Sequence, residues 1–141
     1  MKQVFLSFII CLLLFSCKKR DSLHTGSPSP CNEYEDSASI SNKILGSWKL
    51  TSSSCWSDAA SPADKNIQVS FVSNGTFILQ QNLSVIAQGN WKLKSIISNQ
   101  WILDLTAPSN YLSGYILFCD KRVSFADGYR DGCNNFFDKI D

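Results

Sequence analysis

Ile67-Gln68-Val69-Ser70-Phe71-Val72-Ser73-Asn74-Gly75-Thr76-Phe77-Ile78-Leu79-Gln80-Gln81 is the stretch whose reading decides the fold class. Ile67, Val69 and Phe71 alternate with Gln68 and Ser70, so one face of an extended segment is apolar and the other polar. Asn74-Gly75 then falls between two apolar runs. A two-residue type I′ turn needs positive φ at both central positions, and Asn-Gly meets that need best. The segment is therefore an antiparallel hairpin with one wet face.

Outward from this hairpin the same grammar repeats. Short runs of Val, Ile, Phe, Trp and Thr are separated by Asn, Gly, Asp, Ser and Pro, which predicts strands at 46–54, 67–73, 76–82, 87–94, 100–106, 113–119, 122–126 and 133–140. Trp101, Leu103 and Leu105 share one face, with Ile102 and Asp104 opposite. Asp120-Lys121 reads as a second tight turn, and Asp127-Gly128 with Asp131-Gly132 as a third connection. An all-β, antiparallel domain is expected from residue 43 to residue 141.

The front of the chain differs in kind. An apolar run from Val4 to Phe15 follows Lys2, and its twelve residues would span only about 18 Å as a helix, short of a bilayer core. It reads as a signal peptide, residues 1–16. Leu14-Phe15-Ser16-Cys17 is the pattern that in bacterial lipoproteins marks lipid attachment to the thiol and cleavage before the Cys, so Cys17 is the expected lipidation site. Acyl chains stabilise membrane attachment by about 0.8 kcal/mol per CH₂, so the membrane is the expected partner through this anchor. Lys18 follows where some bacteria place a retention Asp, which favours the outer membrane. Residues 17–42, with Ser27-Pro28-Ser29-Pro30, read as a lipidated Cys and flexible spacer.

Composition narrows the function classes. Without Lys2 the 13 Lys and Arg fall to 12 against 12 Asp and Glu, so no basic surface for nucleic acid is expected. With Cys11 in the signal and Cys17 acylated, Cys31, Cys55, Cys119 and Cys133 form an even set suited to two disulfides. They lack the CxxC spacing of a metal site, and the single His, His24, lies in the spacer. No nucleophile and base come together, and Asp104, Asp127 and Asp131 show no paired spacing. Neither catalytic residues, a cofactor nor a metal is expected; Asp127 to Gly132 reads as a turn.

Gly46-Ser47-Trp48 opens the first strand after Ile44-Leu45, and Gly89-Asn90-Trp91-Lys92-Leu93 follows the Asn74-Gly75 hairpin. This pattern, over residues 44–141, resembles the small lipocalin-like lipoproteins of Bacteroidota. The resemblance implies an eight-stranded up-and-down barrel whose first Trp closes one end, and a small apolar ligand inside. Trp48, Phe71, Phe77, Trp91, Trp101 and Leu103 are the candidate lining. In lipocalins a basic side chain after the last strand packs on that Trp, and Lys139 is the local candidate. If the strands close in order, Cys55 and Cys133 lie at one rim, while Cys119 lies at the rim that receives Cys31. That favours Cys55–Cys133 and Cys31–Cys119 over the other pairings. The alternative is a filled barrel acting on an envelope partner through exposed loops, such as those at Trp56 or at Tyr129-Arg130.

Overall fold

The computed structural model describes residues 35–55, 66–97, 99–128 and 132–140. The expected signal peptide, lipidation at Cys17, His24, Cys31, and the loops at Trp56 and Tyr129-Arg130 lie outside the described residues.

Eight strands follow one short helix: α1 (Ser37–Lys43), β1 (Gly46–Cys55), β2 (Ile67–Phe71), β3 (Thr76–Gln81), β4 (Ser84–Ile97), β5 (Gln100–Leu105), β6 (Tyr115–Cys119), β7 (Arg122–Ala126) and β8 (Cys133–Ile140). They close into a barrel in chain order, with β8 returning antiparallel to β1. The expected all-β, eight-stranded antiparallel up-and-down barrel is the observed fold. Closure of β8 on β1 leaves neither terminal strand a free edge, and it sorts side chains into inward and outward sets.

The alternation in the opening hairpin does this sorting. Ile67, Val69 and Phe71 are buried and register with Gln81, Leu79 and Phe77. The turn is not the two-residue type I′ expected: Gly75 alone has positive φ, +81, and Ser73-Asn74-Gly75 form a three-residue loop in which the Gly75 N–H donates to the Val72 carbonyl at 3.0 Å and Asn74 Oδ1 accepts from the Thr76 N–H at 3.0 Å. Trp48 and Leu50 of β1, Val123 and Phe125 of β7 and Phe137 of β8 complete a continuous core. Burying a side chain of this size contributes about 1.5–3 kcal/mol.

Several boundaries depart from the sequence reading, and β2 ends at Phe71, two residues before the expected 73, where the hairpin loop begins. β4 runs from Ser84 to Ile97, well beyond 87–94, because Asn82 and Leu83 form a two-residue turn at φ 50 and 68 and pairing resumes at once. β6 begins at Tyr115, two residues after the expected start. Gly114 is the cause: its φ is +96, and a Cβ there would stand 2.3 Å from the Ala126 carbonyl oxygen. Residues 17–42 are not spacer throughout. α1 occupies Ser37–Lys43 and buries Ile40.

Local chemistry explains α1. The Asp36 side chain accepts from the Ser39 N–H at 2.9 Å as N-cap, and Lys43 sits in the last turn, where a cation suits the helix dipole. Glu35 reaches both Ser39 Oγ and Lys43 Nζ. Ile40 and Ile44, four apart, present one apolar edge to the barrel. Up-and-down order places the start of β1, the β2–β3, β4–β5 and β6–β7 turns and the end of β8 at this end. The other four connections, including the residue 106–114 loop, are at the opposite end.

Candidate functional site

Two indoles fasten α1 to the barrel. Trp48 Nε1 donates to the Ile44 carbonyl at 2.7 Å, and Trp101 Nε1 donates to the Glu35 carbonyl at 3.0 Å. Both are charge-neutral bonds to backbone oxygens that the helix end and its flank would otherwise leave unpaired. Lys43 Nζ lies 5.9 Å from the Phe118 ring and Lys139 Nζ 5.2 Å from the Trp48 ring. Lys139 thus covers the first-strand Trp from within β8, as the register partner of Trp48, and not from beyond the last strand.

The opposite end is held by a disulfide and a buried amide. Cys55 and Cys133 are register partners with Cα atoms 4.1 Å apart, and they are bonded as expected. Cys119 is also disulfide-bonded, and its expected partner, Cys31, lies outside the described residues. Asn135 is buried with both ends of its amide used. Its Oδ1 accepts from Ser53 Oγ at 2.7 Å, and its Nδ2 donates to the Asn110 carbonyl at 3.0 Å. That second bond ties the residue 106–114 loop across the barrel end, where Leu112 is buried against the core. Ser113 Oγ adds a 3.0 Å bond to Asp127 Oδ2.

Between these ends the six candidate lining residues divide into two groups. Trp48, Phe71 and Phe77 belong to the fully buried base; the Phe71 and Phe77 rings lie 6.3 Å apart, and Trp48 meets Phe118 at 6.1 Å. Trp91, Trp101 and Leu103 lie on the inner wall formed by β4 and β5. There burial is less complete: Trp91 is 9% exposed and Leu103 8%, and Leu93, Trp101 and Leu105 beside them are half-buried.

The reason for this thinner cover is a seam. β5 and β6 register through a single pair among the described residues, Ile102 with Tyr115, whereas β7 and β8 register from Arg122–Asp138 to Ala126–Asn134. An inner wall of Trp91, Leu93, Trp101, Leu103 and Leu105 next to a weakly paired seam is the candidate site.

One polar atom on this wall is unmatched. Trp91 Nε1 is buried and finds no hydrogen-bond partner. Its ring meets Phe71 at 5.7 Å in an edge-to-face arrangement. Among the described residues no group of three or more His, Cys, Asp or Glu is placed to hold a metal ion.

Sequence reading did not single out α1, Leu112 or Asn135. The signals for α1 were present in the Asp36 cap, the Ile40 and Ile44 spacing and Lys43. Asn135, between Asn134 and Phe136, carries no such local mark. Comparison with protein-family models, with curated proteins and with solved structures finds no match to this chain, so its assignment as a barrel rests on strand order and register.

Proposed function

We propose that the chain is a lipid-anchored, lipocalin-like binding protein of the bacterial outer membrane, which takes a small apolar molecule against the β4–β5 inner wall. The observation that carries this reading is the apolar inner wall of β4 and β5, where Leu93, Trp101 and Leu105 are half-buried beside buried Trp91 and Leu103 and β5 meets β6 through one registered pair. A wall of that composition favours apolar surface at about 25 cal/mol per Å² removed from water. Recognition by the wall requires no cofactor and no proton transfer. Lipidation of Cys17 supplies the membrane attachment, leaving the barrel free to serve its ligand.

Native mass spectrometry of the protein purified from its own host tests both parts. The expected spectrum shows an acylated N-terminal Cys17 and a retained apolar molecule that Trp91→Ala releases. An unacylated chain overturns the anchor, and the absence of any retained molecule from the unaltered protein overturns the binding role.

A second reading, action on an envelope partner through exposed loops, draws on the β3–β4 turn. Leu83 is 76% exposed, with Val85 and Ile86 half-exposed beside it, and no charged residue occurs from Asn66 to Trp91. Crosslinking in intact cells from position 83 tests it. A reproducible protein partner supports this reading, and its absence overturns it.

A further inference from the structure

We infer that the indole N–H of Trp91 is the polar anchor of the barrel's ligand, so that the molecule bound carries a hydrogen-bond acceptor, a carbonyl or carboxylate oxygen, on an otherwise apolar body. The inference rests on the binding role proposed above and adds the chemistry of the bound molecule.

The argument starts from how the other buried polar groups are treated. Trp48 Nε1 and Trp101 Nε1 each reach a backbone carbonyl. Asn135, equally enclosed, uses both ends of its amide. Trp91 Nε1 alone among the described residues' buried side-chain nitrogens and oxygens is left without a partner. Buried donors are almost always paired, because leaving one unpaired forfeits the water it held in the unfolded chain. A Phe at this position would fill much of the same space without that cost. An indole therefore has a use here that its packing does not supply.

Place supports the same conclusion. Trp91 is an inward residue of β4, registered with Leu105 of β5 and adjoined by Leu93 and Leu103, so an acceptor arriving along this wall meets no other polar side chain of β4 or β5 on the inner face near it. The β5–β6 seam lies one strand away. The edge-to-face contact with Phe71 gives the indole a ring neighbour, and an aromatic face is a much weaker acceptor than a carbonyl oxygen. A carbonyl displaces such a contact readily. No cation lies on this wall: Lys92 and Lys94 alternate with Trp91 and Leu93 and are exposed on the outer face. Recognition is thus by one neutral N–H.

The test uses the full-length, ¹⁵N-labelled chain and three probes of equal length: decane, methyl decanoate and decanoate. The Trp91 indole resonance is identified as the one that disappears in Trp91→Phe. The expected result is a downfield shift of that resonance with methyl decanoate or decanoate and none with decane. Trp91→Phe should weaken the acceptor-bearing probes about tenfold more than it weakens decane, in line with the loss of one buried hydrogen bond. Because the shift is read in the unaltered protein, the test survives a poorly folding variant. If the acceptor-bearing probes bind but leave the resonance in place, and bind equally to both proteins, the anchor role is overturned while the binding role stands. If none of the three binds, the binding role falls and the anchor with it.

Discussion

Lys139 and Trp48 are register partners across the β1–β8 closure, and the ammonium of one lies 5.2 Å from the ring of the other. The two residues join the last strand to the first at the end where α1 docks, and the Trp48 N–H continues the connection to the Ile44 carbonyl. Lys139 also lies against Gly46, whose absent Cβ would come within 3.3 Å of its Cε. Closure and helix docking thus share one indole.

Lys139→Ala removes the cation and the stem that covers the ring, and is expected to cost about 0.5–1 kcal/mol. Trp48→Ala removes the packing and the bond together and is expected to cost about 3–5 kcal/mol. Urea denaturation of each variant measures both, and equal losses would contradict this ranking.

Ile40 tests whether α1 belongs to the folded unit. It is 3% exposed and leaves a void if truncated, so Ile40→Ala is expected to cost about 2–4 kcal/mol in a single cooperative transition. A change within about 0.5 kcal/mol, the range of ordinary surface substitutions, would mean the helix adds nothing to the barrel.

The Cys55–Cys133 bond closes a separation of 78 residues. Replacing both by Ser is expected to lower stability by about 4.5 kcal/mol on the chain-entropy relation, with the strand register kept. Peptide mapping under non-reducing conditions should recover these two cysteines linked; either of them joined to Cys119 would contradict the register.

Leu83 holds φ +68 with its side chain in solvent, a combination that glycine would adopt without strain. Leu83→Gly gives this turn, with Asn82 already at φ 50, the Asn-Gly pair that positive φ at both positions favours, and is expected to raise stability by about 1 kcal/mol. Thermal denaturation reads the effect. If the turn also serves a partner, the same change abolishes crosslinking there.

Arg122 and Asp138 pair across β7 and β8 at 2.6 Å, with both side chains about two-fifths exposed. The hydrogen bond that Arg122 donates to Asp138 raises the guanidinium's pKa most; burial lowers it, and the Asp138 charge raises it further, for a net rise. A raised pKa gives stability that is complete below the ordinary arginine range and is lost only as pH climbs through it. Arg122→Ala should therefore cost less than about 1 kcal/mol, equally at neutral and mildly alkaline pH, in paired denaturation curves.

The alternation of Ile67, Val69 and Phe71, Gly75 and the spacing of the other turn residues were enough to place eight antiparallel strands, and the up-and-down closure implied by the lipocalin-like resemblance then paired Cys55 with Cys133. These features are local, or follow directly from running the strands up and down. Tertiary structure decided what depends on distant chemistry. Whether 37–43 joins the fold depends on Ile40 and Ile44 finding the barrel end and on two indoles finding free carbonyls. Where the wall thins depends on β5 and β6 meeting through one registered pair, and nothing in either strand alone announces that. Trp48, Trp91 and Trp101 read alike in the chain, as aromatic residues in strands. Only the position of a carbonyl acceptor, present for two of them and missing for Trp91, separates the two indoles tied to the backbone from the one we propose meets a ligand.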